Sequence, residues 1–169
     1  MAKTIRINGI SEATIEAAAK ELRRYAEWIE RKESELRSRL ASLGATVASI
    51  QFSRAIYNGV NDVSVRVDDT GSVAVIYAEG ESVAFIEFGS GEKYGYGHPN
   101  AAEHGYGPGT WSDGPEGKGH WDNPNGWWLP KDKGGGHSYG NPPAMAMASA
   151  VNAMVEEITS IAREVFGTA

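Results

Sequence analysis

Apolar residues recur every seven positions along the first quarter of the chain. This spacing predicts an amphipathic helix over about residues 11–43, with Ser11 as its N-cap and Gly44 as the residue that ends it. Glutamate and arginine or lysine occupy its other faces. The apolar stripe either covers the domain's own sheet or forms a seam between subunits, and both interpretations stay open here. The repeating positions are Ile15, Leu22, Ile29, Leu36 and Leu43, of which Ile29 and Leu36 are our candidates for a subunit contact.

The middle of the chain changes from helical to alternating patterns. Apolar spacing predicts a second, short helix over about 46–57, and the strands follow over about 61–88. Valines alternate with polar residues over 63–67, a turn follows at 69–71, and a β-branched run occupies 73–77, which together predict an antiparallel hairpin. Residues 82–88 fit a third strand and a short helix equally well.

Three- and four-residue apolar steps return near the end of the chain. They predict a helix over about 143–166, capped by Asn141 and opened by Pro142 and Pro143. With 169 residues, the chain is long enough for one well-buried domain. We therefore expect a single α+β domain, in which the first and last helices flank a small antiparallel sheet.

The segment from 89 to 142 reads as a long extended loop of unusual composition. It holds 15 of the 21 glycines, four of the five tryptophans and all four histidines. Aromatic side chains in such number need burial, and long loops in compact domains are usually functional, so we expect contacts with another chain. Residues 119–129 have the pattern of a small hairpin. The interface candidates are Phe88, directly before the loop, and within it Trp111, Trp121, Trp127, Trp128, Tyr94 and Tyr96.

Charge and cysteine content exclude several classes of function. The absence of cysteine removes disulfides, thiolate nucleophiles and cysteine-bound zinc. The net charge is −6, and only the first helix region is basic, so tight binding of nucleic acid is not expected. No apolar run reaches the roughly 20 residues that span a bilayer, and no signal sequence is evident, which predicts synthesis in the cytoplasm without a membrane partner.

No pattern of reactive residues predicts catalysis. The loop histidines lie among acidic residues, but their spacing fits no metal motif. Glu87 with Asp113 or Glu103 is a formal pair of carboxylates for glycoside hydrolysis, although any chain with 22 acids offers such pairs. Neither a nucleophile motif nor a phosphate loop is present. We expect no catalytic residue, no metal and no cofactor.

A resemblance to a known family rests on the order of several short elements. The segment Phe85-Ile86-Glu87-Phe88-Gly89-Ser90-Gly91 is the most specific of them, and the Pro143-Ala144-Met145-Ala146-Met147 helix start follows the loop. Together with Ile5-x-Ile7-x-Gly9-Ile10, Tyr57-Asn58-Gly59 and 61–65, these resemble the siphophage neck or tail-completion family of minor tail proteins. The likeness spans nearly the whole chain, although the loop is long and the usual Arg and Phe near the last helix are Ala and Met.

The resemblance implies a structural, non-enzymatic role in a virion. Copies of the chain would form a homo-oligomeric ring, with six the family's usual number, at the neck between head and tail. Its partners would be the head-closure or connector protein and the tail terminator or tail tube, and DNA would pass through the lumen without tight binding. Assembly would take place in the host cytoplasm. The alternative is a carbohydrate- or cell-wall-binding or hydrolysing phage protein that uses the aromatic loop as its groove.

Overall fold

A computed structural model describes most of the chain outside the long loop. The described residues are 9, 11–55, 61–91, 93–94, 98–100, 124–128, 131 and 135–167. Two long helices and a two-stranded antiparallel hairpin form the body, so the predicted α+β class is confirmed. The elements in chain order are α1 (Glu12–Arg54), β1 (Ser64–Asp68), β2 (Val75–Glu79), α2 (Val83–Phe88), β3 (Trp127–Trp128), β4 (His137–Ser138) and α3 (Ala146–Gly167).

The first helix is one continuous element of 43 residues. Its N-cap is Ser11, as predicted, in a capping box with Thr14. The predicted end at Gly44 and the separate helix over 46–57 are wrong. A Cβ atom at the buried Gly44 would lie 2.6 Å from Ile76 Cδ1 and 2.8 Å from Met154 Sδ. Glycine is therefore present because β2 and α3 approach the helix closely, and not because the helix stops there.

The predicted start of the last helix is also wrong. Asn141 does not cap it; this residue forms an isolated antiparallel bridge with Ser90, and α3 begins only at Ala146. Residues 83–88, for which strand and helix were both open, form the short helix α2. The hairpin β1–β2 is formed as predicted, with Ser64 opposite Glu79 and Asp68 opposite Val75.

The core lies where the C-terminal half of α1 meets α2 and the start of α3. Its buried residues are Ala48, Phe52, Phe85, Ile86, Ala146 and Ala150. At the other end of α3, Phe166 meets Trp28 of α1 at a ring-centroid distance of 5.9 Å, so the two helices run antiparallel. Because α3 ends at Gly167, the first three turns of α1 have no part of α3 beside them. No described helix carries enough consecutive apolar residues to cross a membrane.

Asp69 fastens the β1–β2 turn to the side of α1. Its carboxylate accepts hydrogen bonds from the Ser38 hydroxyl and from Arg37 Nε, the latter at 2.6 Å. The hydrogen bond from Ser38, followed by the one from Arg37, holds the pKa of Asp69 below its ordinary value of 3.8 and outweighs the opposing effect of burial. The carboxylate form therefore stabilises the attachment of the hairpin.

Substitution of Gly44 tests the close approach of the helices. Gly44→Val forces the methyl groups into Ile76 and Met154, and we expect it to lower the free energy of unfolding by about 2 kcal/mol. Ser49→Val, at an exposed position of the same helix, is the matched control and should change stability by no more than about 0.5 kcal/mol. Urea denaturation followed by circular dichroism measures both. Equal effects would contradict a packing role for Gly44.

Acid should loosen the Asp69 attachment in a defined direction. A carboxyl whose pKa is lowered in the folded state contributes stability above its unfolded pKa, and that contribution is lost as pH falls through the folded pKa. Asp69→Asn should therefore reduce the loss of Tm on going from about pH 5 to about pH 3. Ser38→Ala removes one of the two donors and should reduce the loss in part. A Tm profile identical to that of the unsubstituted chain would contradict this role of Asp69.

Candidate functional site

The predicted interface residues fall into four groups in the structure. Trp111, Trp121 and Tyr96 lie outside the described residues. Phe88, Tyr94 and Leu36 are half-buried within the chain. Ile29 and Trp128 are exposed, whereas Trp127 is only 6% exposed. Of the adjacent tryptophans, only Trp128 therefore has substantial surface to offer another molecule.

Trp127 and Trp128 form β3, which pairs with His137 and Ser138 in β4. The pattern also predicted a hairpin within 119–129, but residues 119–123 lie outside the described part of the chain. The two tryptophans point to opposite faces of this short ladder, as successive strand residues do. The ring of Trp127 lies against Gly91, and the ring of Trp128 is 75% exposed.

Trp128 belongs to a small exposed group of aromatic rings, which we term the aromatic patch. His137 lies edge-on between the other two members, 5.0 Å from the Trp128 ring and 4.8 Å from the Tyr139 ring. Tyr139 is also exposed. Edge-to-face packing holds the three rings in a fixed relation, so the patch presents a preformed apolar surface.

A buried polar cluster lies at the start of α3, and we term it the Glu87 clasp. The Glu87 carboxylate, on α2, accepts hydrogen bonds from the backbone amides of Met147 and Ala148 at 3.0–3.2 Å. Its Oε1 is also 3.0 Å from His98 Nε2. Glu87 and His98 are 5% and 6% exposed. Glu87 thus caps α3 from another helix, and its charge meets the positive end of the α3 dipole.

The backbone around His98 determines which of its ring nitrogens carries the proton. The amide of Asn100 donates to His98 Nδ1 at 3.0 Å, so Nδ1 is the acceptor. The proton of the neutral ring is then on Nε2, which donates to Glu87. Phe88 covers the imidazole, with ring centroids 4.5 Å apart. Each polar atom of this Glu–His pair therefore has a partner, which offsets the cost of burial.

The segment Phe85–Gly91 and the segment before α3 are fastened side by side. Carbonyl oxygens of Ile86 and Glu87 accept from the amides of Ala144 and Met145, and Ser90 exchanges backbone hydrogen bonds with Asn141. Gly89 has φ of 78°, and a Cβ there would meet the Asn141 carbonyl oxygen at 2.7 Å, which explains the glycine. Phe85–Gly91 and the residues just before α3 are thus the two halves of one structural joint.

This geometry argues for a structural role of Glu87 and against a catalytic one. Both carboxylate oxygens are engaged, and a general acid or base needs a free oxygen that faces a substrate. Glu87 and His98 line one side of a cleft of about 610 Å³, whose other walls are mostly apolar and include Ala78, Val83 and Met147. Asp113 and Glu103, the sequence-predicted partners of Glu87, lie outside the described residues.

The structure does not assemble the loop histidines into a metal site in the part of the chain it describes. His98 is committed to Glu87, and His137 is an exposed member of the aromatic patch. His104 and His120 lie outside the described residues. Within those residues, no group of three or more histidines and acids is close enough to hold a metal ion.

Sequence reasoning missed the pairing of Glu87 with His98 and the capping role of Glu87. The sequence places Glu87 only in a formal carboxylate pair and His98 only among the loop histidines. The local sequence gives no sign of the cap, because Glu87 lies 60 positions before Met147, whose backbone amide donates to it. One sequence feature does indicate a cap from elsewhere. No residue between Pro142 and Ala146 has a side chain that could cap the start of α3.

Removal of the Glu87 carboxylate tests the clasp. Glu87→Ala leaves two helix amides and the His98 ring without an acceptor, and we expect a loss of about 3 kcal/mol in the free energy of unfolding. Glu87→Gln keeps one acceptor oxygen and should cost less. Glu79→Ala removes an exposed carboxylate paired with Arg66 and, as the control, should cost about 0.5 kcal/mol. Chemical denaturation measures all three, and an Ala variant as stable as the control would contradict the clasp.

Comparison with protein-family models, with curated proteins and with solved structures gives no match to this chain. Among the described residues, several large aromatic and aliphatic side chains are exposed, and packing within the chain does not account for them.

Proposed function

We propose that the chain is a structural virion subunit of a tailed bacteriophage. Copies of it form a ring at the neck, which completes the tail and joins it to the head connector. The resemblance of Phe85–Gly91 and of the Pro143–Met147 helix start to tail-completion proteins suggests this role. The physical support is independent of the resemblance and comes from the surface of the molecule.

The exposed aromatic patch is the observation that carries the proposal. Trp128 has three quarters of its surface in water. Burial of such a ring in an interface would stabilise the assembly by roughly 2 kcal/mol. Tryptophan and tyrosine are also the side chains that most often dominate the free energy of protein association. The patch lies on a short paired ladder, so little conformational entropy is lost when a neighbour covers it.

Charge is compatible with a channel for DNA. The net charge of −6 gives phosphates little to bind, because affinity for a duplex depends on clustered lysine and arginine. A weakly negative lumen would let DNA slide without adhering. The partners we propose are further copies of the chain, the head-closure or connector protein, and the tail terminator or tube protein.

Stacking on a sugar is the competing use of the same patch, because exposed aromatic rings also bind carbohydrates. The two functions differ in the state of the protein in solution. A neck subunit assembles with itself, whereas a sugar-binding protein would remain a monomer that binds cell-wall fragments. Analytical ultracentrifugation and negative-stain microscopy distinguish them.

Trp128→Ala should abolish or severely weaken ring assembly and leave the fold intact. The ring is exposed in the single chain, so its removal should change the free energy of unfolding of the monomer by no more than about 0.5 kcal/mol. Loss of an interface anchor should weaken association by about 2 kcal/mol or more per contact. Sedimentation velocity measures assembly, and urea denaturation measures stability.

Two control variants make the result specific. Val73→Ala removes another largely exposed apolar side chain, from the β1–β2 turn, and should leave assembly unchanged. Trp127→Ala removes the buried neighbour and should lower stability as well. Rings that form normally in the Trp128→Ala variant would contradict the proposed role of the patch, and a monomeric unsubstituted protein that binds cell-wall sugars would favour the alternative function.

A further inference from the structure

Two helices each carry a line of apolar side chains that are exposed in the described part of the chain. On α1 the line consists of Ile15, Leu22 and Ile29, which we term the α1 stripe. On α3 it consists of Val151, Val155 and Ile158, the α3 stripe. Leu22 is 57% exposed and Val155 is 68% exposed. Exposed apolar side chains grouped on one face of a helix often mark a site of protein contact.

Each stripe is separate from the face that packs inside the chain. The internal face of α3 contains the buried residues Ala150, Ile161 and Val165, so the α3 stripe points elsewhere. The α1 stripe begins in the three turns that have no part of α3 beside them. It is flanked by alanines at 18, 19 and 26, whose small side chains permit another helix to approach closely.

Charged residues follow the stripes with the same spacing. Glu16, Arg23 and Glu30 each come directly after a stripe residue of α1, so they share one edge of that helix. On α3, Glu156 follows Val155, and Arg163 comes seven residues later on the same edge. All five are exposed, and the described part of the chain gives none of them an ion-pair partner.

We infer that the α1 stripe of one copy packs antiparallel on the α3 stripe of the next copy. This inference rests on the proposed function, because it assigns the faces that would join neighbouring subunits of the ring. Leu22 would lie between Val155 and Ile158 of the neighbouring copy, with Ile29 beside Val151. The same register sets Glu16 against Arg163 and Arg23 against Glu156.

The antiparallel direction follows from the charges. When two helices pack antiparallel, edges of the same hand meet, and the residues directly after the stripe lie on edges of the same hand in α1 and α3. Alternating charges at seven-residue spacing then face opposite charges. A parallel arrangement would bring this edge of α1 against the opposite edge of α3, away from Glu156 and Arg163.

Pairing of two α1 stripes is the main competing arrangement, and the charges disfavour it. A two-fold antiparallel pair centred on Leu22 brings Arg23 close to the same residue of the other copy. It also brings Glu16 close to Glu30. Like charges across a contact are unfavourable, so this arrangement loses what the α1–α3 contact gains.

An α1–α3 contact uses two different surfaces of the same chain. Two copies cannot satisfy such a heterologous contact, because each added copy leaves one of its two surfaces uncovered. All surfaces are covered only when successive rotations bring the last copy into contact with the first. A closed ring is the assembly in which every α1 stripe and every α3 stripe is covered. The contact thus supplies the type of interface that a neck ring requires.

Cysteine cross-linking tests the contact directly, because the natural chain has no cysteine. The variant with both Leu22→Cys and Val155→Cys, oxidised with copper phenanthroline, should give a ladder of covalent multimers on a denaturing gel. Within one chain the two positions are separated by roughly 33 Å of helix, since Met154 lies beside Gly44, so no internal disulfide competes. Each single variant alone should stay uncross-linked.

Charge reversal provides a second test on the unmodified interface. Arg23→Glu and Glu156→Arg should each weaken association about fivefold per contact, and the double variant should recover most of the loss. Arg24→Glu is the matched control, because Arg24 lies on the opposite side of α1 from Leu22 and should leave association unchanged. Circular dichroism confirms that each variant is folded.

Three other outcomes would overturn the inference, and the measurements distinguish between them. Dimers from Leu22→Cys alone would show that α1 stripes pair with each other. Rings without a cross-link in the double-cysteine variant, or without charge rescue, would refute the α1–α3 contact and leave the proposed ring intact. A protein that is monomeric at all concentrations tested would overturn both the contact and the proposed neck function.

Discussion

The rest of the structure depends on one requirement, namely that the first backbone amides of α3 need hydrogen-bond acceptors from outside the helix. A helix that begins inside a protein needs acceptors for its first amides, and α3 has none in the residues just before it. Glu87 supplies them from α2, which fixes α2 against α3 and, through Phe52, Phe85 and Ile86, both against α1. His98 forms a further hydrogen bond with the Glu87 carboxylate, and this bond attaches that part of the long loop to the start of α3.

Much of the framework follows from local patterns and could be predicted. The seven-residue repeat and Ser11 indicate where α1 begins, and alternating valines with a turn at 69–71 indicate the hairpin β1–β2. The apolar steps of α3 indicate a packed helix. Each of these signals lies within one element, where side-chain period and backbone period coincide.

The errors concern residues whose role depends on distant parts of the chain. Gly44 looks like a helix stop, yet it is a contact point for Ile76 and Met154. Asn141 and Pro142 look like a helix start, yet Asn141 pairs with Ser90. Tertiary contacts decide both cases, and the local sequence does not reveal them. The sequence likewise does not indicate which of the adjacent Trp127 and Trp128 is buried.

The bridge between Ser90 and Asn141 has a consequence for how the chain tolerates change. It brings the two ends of the long loop together next to a buried, fully hydrogen-bonded joint. The entropic cost of closing a loop grows only with the logarithm of its length, so residues added beyond this base hardly affect the free energy of the fold. Insertions between the residues that the base and the Glu87 clasp hold should therefore cost the fold little free energy.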